Sequence, residues 1–420
     1  MKRFGSRYDA TVENATSPEA HSRELMDFAK KMLLNGPTTL GDIKGPGSLA
    51  CLSVRFSIEF DLSDKSGWEM AHTQIERHMR LCVAATAGFN KLITIAGSEP
   101  YLAEAARELM SEVGAVRHLA ENSSLNCVDR GQRGELVAAL LIMRARDAAS
   151  AASSSRQVSV IAFMKELLPL DAFEKLKSAL PPYWNTLQEL NFSETFEDYS
   201  TWFNHVIKIN QPDMIKTEHL WKFLTRGAMV MCANNQYGVD IVIPVCQRQQ
   251  KLSRHTVTAI LIQVKNNTTF KVTPQTKLFD AMDPFDVHLR LFPTMGQTPL
   301  PVLHLVFALT SNENKVSIMA PPTRKRHHLD KFTSFDIWCA GLSSDTFRDI
   351  ENDIEWYKSL LQRSLQPHDA FDLKEARDDY RDEWTARARG QLRRKMAPLS
   401  DPVDGHNFMH QVIHDAGSLT

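Results

Sequence analysis

Charge of one sign is what this chain most conspicuously lacks. Its 420 residues carry 49 Lys and Arg against 50 Asp and Glu, a formal net charge of −1. A global electrostatic pull towards nucleic acid is therefore excluded, and any such contact has to come from a local patch. Cysteine is sparse: Cys51, Cys82, Cys127, Cys232, Cys246 and Cys339 are scattered, with no CxxC pair. That spacing argues against structural zinc and a disulfide framework and leads us to expect reduced, buried thiols. No apolar run approaches the roughly 18 residues of a membrane span. The polar N-terminus does not read as a secretory signal. The expected setting is thus intracellular, in cytosol or nucleus, without a membrane partner. G-x-x-x-x-G-K-[ST] is absent, so there is no P-loop. G-x-S-x-G is absent too, so there is no hydrolase elbow. A Cys/His pairing for cysteine-protease chemistry is not readable from spacing alone, and no internal repeat is present.

What is there is an ordinary apolar content of 43%, enough for a sizeable core. At roughly 150 residues per domain the length allows two or three units. Four stretches differ in pattern. Residues 1–48 read as loosely ordered around one helix near Glu19–Leu34. Residues 49–130 read as an α/β segment. It has a strand on the alternation of Val54, Phe56, Ile58 and Phe60, a helix over Trp68–Ala85, a short strand at Leu92–Ile95, and a helix from Ser98-Glu99-Pro100 to about Val113. Residues 131–344 read as a core. It opens with a helix from Gly131-Gln-Arg133-Gly-Glu135 through Ala148, whose apolar face is Leu136, Ala139, Leu140 and Met143. Ala148–Ser155 reads as a linker, and residues 158–226 as mostly helical. Strands are expected over Gly227–Ala233, from Asp240 to Val245, over Ala259–Lys265 and over Val302–Leu309, with a turn at Asn234–Gly238 and a polar helical piece near Pro284–Leu291. Pro244 implies a bulge or an edge position. From Asp345 the chain turns strongly charged and helical, giving a C-terminal segment over 345–420.

The chemistry concentrates on two apolar strands. One begins at Asp240; the other ends in Gln263-Val264-Lys265. Alternation puts Gln263 and Lys265 on one face and Ile262 and Val264 on the other. A carboxylate, an amide and an ammonium then project from one end of an otherwise apolar sheet. Burying such groups is costly unless they pair or bind a ligand. Two readings stay open at this point. In one, the groups hold a metal for phosphodiester cleavage. In the other, Asp240 and Lys265 form an ion pair at the sheet edge, with Gln263 hydrogen-bonded beside them.

The order of a helix bearing Glu135, a strand, the Asp240 strand, the Gln263-x-Lys265 strand, and later a helix and a strand resembles the core of the PD-(D/E)xK nuclease superfamily, the restriction-endonuclease-like fold. The match is nearest to its Mrr-like branch, in which Gln replaces the second acid. The resemblance covers about residues 130–310, interrupted by a long helical insertion at 149–226. It implies an α/β fold with a central mixed sheet flanked by helices. It also implies Mg²⁺ or Mn²⁺ as cofactor and nucleic acid as partner. Asp240 would be the anchoring metal ligand, joined by the Gln263 side-chain oxygen, the Val264 carbonyl and Glu135, while Lys265 would orient the attacking water. Val239 stands where the superfamily name has Pro, and Gln263 supplies one negative charge fewer than Glu. The same resemblance admits an alternative: a binding or interaction protein that keeps the scaffold without turnover. The segments Arg133-Gly-Glu-Leu136, Gly238-Val-Asp240 and Gln263-Val-Lys265 also resemble those of large uncharacterised fungal protein families, which imply no activity.

Other polar features read more plainly. Thr323-Arg-Lys-Arg-His-His328 and the cluster Arg387, Arg389, Arg393, Arg394 and Lys395 read as solvated surface, the second because acids share its helix. His327 and His328 are adjacent, which does not suit a zinc site. His205, His288 and His304 read as core or boundary histidines. Trp202, Trp221 and Trp338 read as core anchors.

Overall fold

The computed structural model describes residues 18–36, 43, 45–58, 60, 65–85, 92–111, 114–121, 130–153, 157–182, 190–233, 236–292, 300–321 and 332–362. The run 323–328, the basic cluster 387–395 and all but the start of the expected C-terminal helices lie outside them.

The first elements are α1 (Pro18–Leu34), α2 (Pro46–Phe56), α3 (Lys65–Arg77), the antiparallel pair β1 (Leu81–Ala85) and β2 (Leu92–Ile95), α4 (Pro100–Leu109) and α5 (Ala115–Glu121). Next come α6 (Arg130–Ala151), β3 (Val158–Ser159), α7 (Val160–Leu167), α8 (Leu170–Lys177), α9 (Phe192–Phe196), β4 (Tyr199–Thr201) and β5 (His205–Lys208). The chain continues through α10 (Thr217–Thr225), β6 (Ala228–Met231), β7 (Ile241–Gln247), β8 (Val257–Lys265), α11 (Thr276–Asp280), β9 (Val302–Ala308), β10 (Lys315–Ile318), β11 (Ser334–Ala340) and α12 (Ile354–Gln362).

Nine strands form one mixed sheet in the order β10-β11-β9-β8-β7-β4-β3, with β6 also on β7 and β5 on β6. The strands β6, β7 and β8 run antiparallel in succession, and β9 returns parallel to β8. Alternation divides β8 between two cores. Ile260 and Ile262 face a cluster shared with α1, α2, α4, α6, α7 and α12. Ala259 and Leu261 face a second cluster built from α10, α11 and the segment 282–292. Helices therefore cover both faces of a mixed α/β sheet, the arrangement that buries strands read as near-continuous apolar runs.

Several sequence expectations need correction. Val54–Phe60 is not a strand: α2 ends at Phe56, and Ser57 closes it in the left-handed conformation with φ 51°. The residues of α2 from Ser48 to Phe56 are all buried, so its apolar residues carried no usable period. The helix expected over Trp68–Ala85 stops at Arg77, and its last residues form β1. The Ala/Ser-rich stretch is no linker at its start, because α6 runs to Ala151. Residues 158–226 are not mostly helical, because they include β3, β4 and β5, all part of the main sheet. Pro284–Leu291 consists of turns, and the helix of that region is α11. The thiols of Cys51, Cys232, Cys246 and Cys339 are buried as expected, whereas Cys82 is exposed and Cys127 lies outside the described residues.

Pro244 is not a bulge; it lies inside the sheet but on an unpaired interval of one flank, a local edge position. One flank of β7 is fully paired with β8 from Ile241 to Cys246. Its other flank changes partner, with Ile241 and Val242 on β6 and Cys246 and Gln247 on β4. Pro244 occupies the interval between them, where no backbone donor is needed, and its carbonyl accepts from the Thr201 hydroxyl at 2.8 Å.

Gly238 fixes how the chain enters β7. Its φ is +76°, and a Cβ there would collide with the Ala281 carbonyl oxygen. Gly238→Ala is expected to destabilise the fold by about 2 kcal/mol or more, from left-handed backbone strain plus the collision. Denaturant unfolding checks this, and an unchanged midpoint would show that the turn is not constrained.

Candidate functional site

The ends of three parallel strands lie along one edge of the sheet, with Lys265 beside Ala308 and Ala308 beside Ala340. The antiparallel β7 starts at this same edge. Asp240, one residue before it, is bonded through its backbone on both sides: its N–H donates to the Ile262 carbonyl (2.9 Å) and its carbonyl accepts from the Cys232 N–H (2.8 Å). The Asp240 side chain turns across the edge, where Oδ2 accepts the Val264 N–H at 2.6 Å. Strand-end edges of open sheets are where side chains can reach a ligand without disturbing the ladder.

Each predicted residue can be placed. Gln263 is buried at 7% exposure, and its Oε1 has no hydrogen-bond partner among the described residues. Lys265 is partly buried, with Nζ 5.9 Å from the Phe270 ring centroid. Val264 gives its N–H to Asp240 and points its side chain at α6. Glu135 comes from α6, which approaches the end of β8 closely. A Cβ on Gly134 would stand 3.0 Å from Asn266 Cβ and 3.4 Å from Val264 Cγ1. A glycine at this point lets the helix carry Glu135 to the strand end.

Electrostatics tie these groups together. Burial is the largest influence on Asp240 and raises its pKa, although the Val264 N–H and the Lys265 charge oppose it. A hydrogen bond to a charged group contributes about 1.5–3 kcal/mol, and burying an ion costs several, so burial prevails. Lys265 is shifted down, again by burial first, while Asp240 and Glu135 pull it back up. The buried Cys232 thiol is pushed far up by burial and by the same two carboxylates. Asp240 and Lys265 feel each other's charge with no side-chain hydrogen bond between them among the described residues. The edge ion pair with Gln263 bonded beside it is therefore not the observed arrangement. No group of three His, Cys, Asp or Glu side chains suited to a metal occurs among the described residues. A cation at this edge would draw instead on two carboxylates, an amide oxygen and a carbonyl.

Sequence reasoning missed a second polar assembly on the far side of β6. The Ser98 hydroxyl and His205 Nε2 lie 2.8 Å apart, and His205 Nδ1 and Asn204 Oδ1 lie 2.9 Å apart. Asn204 Nδ2 donates to Glu104 Oε2 (3.2 Å), which also faces the fully buried Arg146 at 3.6 Å. Burial, aided by Arg226 and Arg55, pushes His205 down to about 3. It is a neutral, bonded core histidine, as expected. His304 is likewise bonded, to Asp336 at 2.9 Å. His288, by contrast, is exposed and packs on the Tyr237 ring at 5.0 Å. Trp338 is a buried core anchor; Trp202 and Trp221 are only partly buried.

A mixed α/β protein with a polar, electrostatically coupled strand-end site is thus defined. The family described as a domain of unknown function, DUF8736, matches residues 42–286. Because that span is more than half of the 420 residues, the chain belongs to this family. The matched span holds Glu135, Asp240, Gln263 and Lys265, while β9, β10 and β11 lie beyond it. No curated protein and no solved structure matches the chain. Among the described residues no helix is long and apolar enough to cross a membrane.

The raised pKa of Asp240 has a consequence for stability. The folded chain holds this proton more tightly than the unfolded chain, so stability falls as pH rises from the ordinary carboxylate range towards the folded value. Asp240→Asn removes that penalty and keeps an acceptor for Val264. We expect it to raise the Tm at neutral pH in metal-free buffer, with the gain vanishing in acid. Thermal melts across pH test this, and a loss of stability at neutral pH would contradict it.

Proposed function

We propose that the chain is a metal-dependent nuclease that hydrolyses phosphodiester bonds at the strand-end site. One observation carries this reading. Asp240 is bonded to the strand that bears Gln263 and Lys265, and Glu135 is within electrostatic reach of the same point. The order α6, β6-β7-β8 antiparallel, α11, then β9 parallel to β8 supports the restriction-endonuclease-like comparison. The insertion between α6 and β6 is where the two differ in length.

The donor set suits a hard divalent cation. Gln263 Oε1 is a buried oxygen without a partner among the described residues, and such an atom is costly to keep unless something binds it. Asp240, Gln263, Glu135 and the Val264 carbonyl would hold Mg²⁺ or Mn²⁺. When bound, that ion supplies Lewis acidity and an activated water. The protein's own groups do the rest. Val264 N–H fixes the Asp240 carboxylate. Lys265, on the Gln263 face, orients the attacking water and offsets the negative charge that grows on the phosphate. The apolar walls of the two cores strengthen each of these interactions by excluding water.

A second reading rests on Gln263 itself. An amide in place of a carboxylate weakens metal affinity and suits a scaffold that binds without turnover. Incubation of DNA and RNA with the purified chain in Mg²⁺ or Mn²⁺ separates the two. Wild type is expected to cleave, with Asp240→Asn and Lys265→Ala each reduced by about a hundredfold or more. Equal activity in all three would assign the cleavage to a contaminant. No cleavage in either metal would leave the binding reading.

A further inference from the structure

The turn between β6 and β7 carries two features that catalysis does not use. Tyr237 is 50% exposed, the only aromatic among the exposed large apolar side chains of the described residues. Its ring packs against His288 at 5.0 Å between centroids, and the adjoining Val287 is 60% exposed. One residue earlier, Gln236 spends its Oε1 on the Ala233 N–H, while its Nε2 is buried without a partner among the described residues. Both side chains belong to the turn that leads through Gly238 into Asp240. The Gly238 backbone is pressed onto Ala281, so the platform is held by the same contact that positions the acid.

We infer that this turn is the nucleotide-holding element of the site and that its ligand is single-stranded nucleic acid, with an unpaired base stacked on Tyr237 and its backbone or base edge accepting from Gln236 Nε2. The inference rests on the phosphodiester reading and narrows its substrate. An exposed ring braced on His288 offers a flat face on which a base can stack. Every base offers a π-face, whereas in a duplex that face is already occupied by its neighbours. The partnerless donor of Gln236 is buried, so it answers the acceptor-rich chemistry of a phosphate or a base edge once its side chain rotates outward on binding. The near-neutral net charge fits the same picture: affinity comes from stacking and a few local groups rather than from a broad basic surface.

Fluorescence anisotropy of a labelled mixed-sequence oligonucleotide tests this, single-stranded and as duplex. Binding is read in Ca²⁺, and cleavage is read separately in Mg²⁺ and Mn²⁺. Wild type is expected to prefer the single strand. Tyr237→Ala is expected to weaken single-strand binding by about tenfold or more, with duplex binding changed little, and Tyr237→Trp to retain it. Gln236→Ala is expected to give a smaller loss. Thermal melts confirm that the variants fold. Wild type that binds neither oligonucleotide, or Tyr237→Ala that binds the single strand as well as wild type, overturns the inference. Cleavage that depends on Asp240 and not on Tyr237 also overturns it and leaves the nuclease reading standing. Tyr237-dependent single-strand binding without cleavage supports the platform and removes the nuclease.

Discussion

The hydrogen bond from the Val264 N–H to Asp240 Oδ2 is the contact on which the site depends. It joins the start of β7 to the end of β8, next to the last rung of their ladder. It fixes the rotamer of the one acid that sequence reasoning placed first. It also partly offsets a burial that would otherwise make the carboxylate harder still to ionise. Without the bond the Asp240 backbone would still be tied to Ile262 and Cys232, but its carboxylate would lose the contact that fixes it across the end of β8.

Around that bond the structure places opposing charges in a partly dry setting. Asp240 and Glu135 hold the proton on Lys265, while burial works to remove it. The amide of Gln263 adds an acceptor without adding charge. Such an edge holds opposed demands: burial disfavours the charge on one acid and on one base, and one oxygen has no partner among the described residues.

Much of this was legible in the sequence, for physical reasons. Strand β8 alternates between two cores, so the shared face of Gln263 and Lys265 follows from period two alone. The long, apolar-faced α6 and the buried run of β9 announce themselves by pattern. Other parts left no signal. The strands β3, β4 and β5 have two to four residues, too few for a period, and they exist because neighbours offer them an edge, β7 for β4, β4 for β3 and β6 for β5. Helix α2 is buried on every side, even at Arg55, whose guanidinium is paired with Asp147 at 2.8 Å. Its chance alternation therefore imitated a strand. The position of Glu135 depends on Gly134 meeting Asn266, residues far apart in the chain. The pairing of Tyr237 with His288 is likewise a product of tertiary structure.

The forked flank of β7 bears on how this chain could have been assembled. One side of that strand serves two masters, β6 near its start and β4 near its finish, and Pro244 marks the parting. The long excursion between α6 and β6 is therefore woven into the sheet at both ends rather than hung from it. A shortened relative that dispensed with the excursion would have to cap an orphaned ribbon of backbone on its central strand. With β6 still covering its start, the seam would open at the proline already sited there, which lacks an amide hydrogen and would blunt only the first part of it.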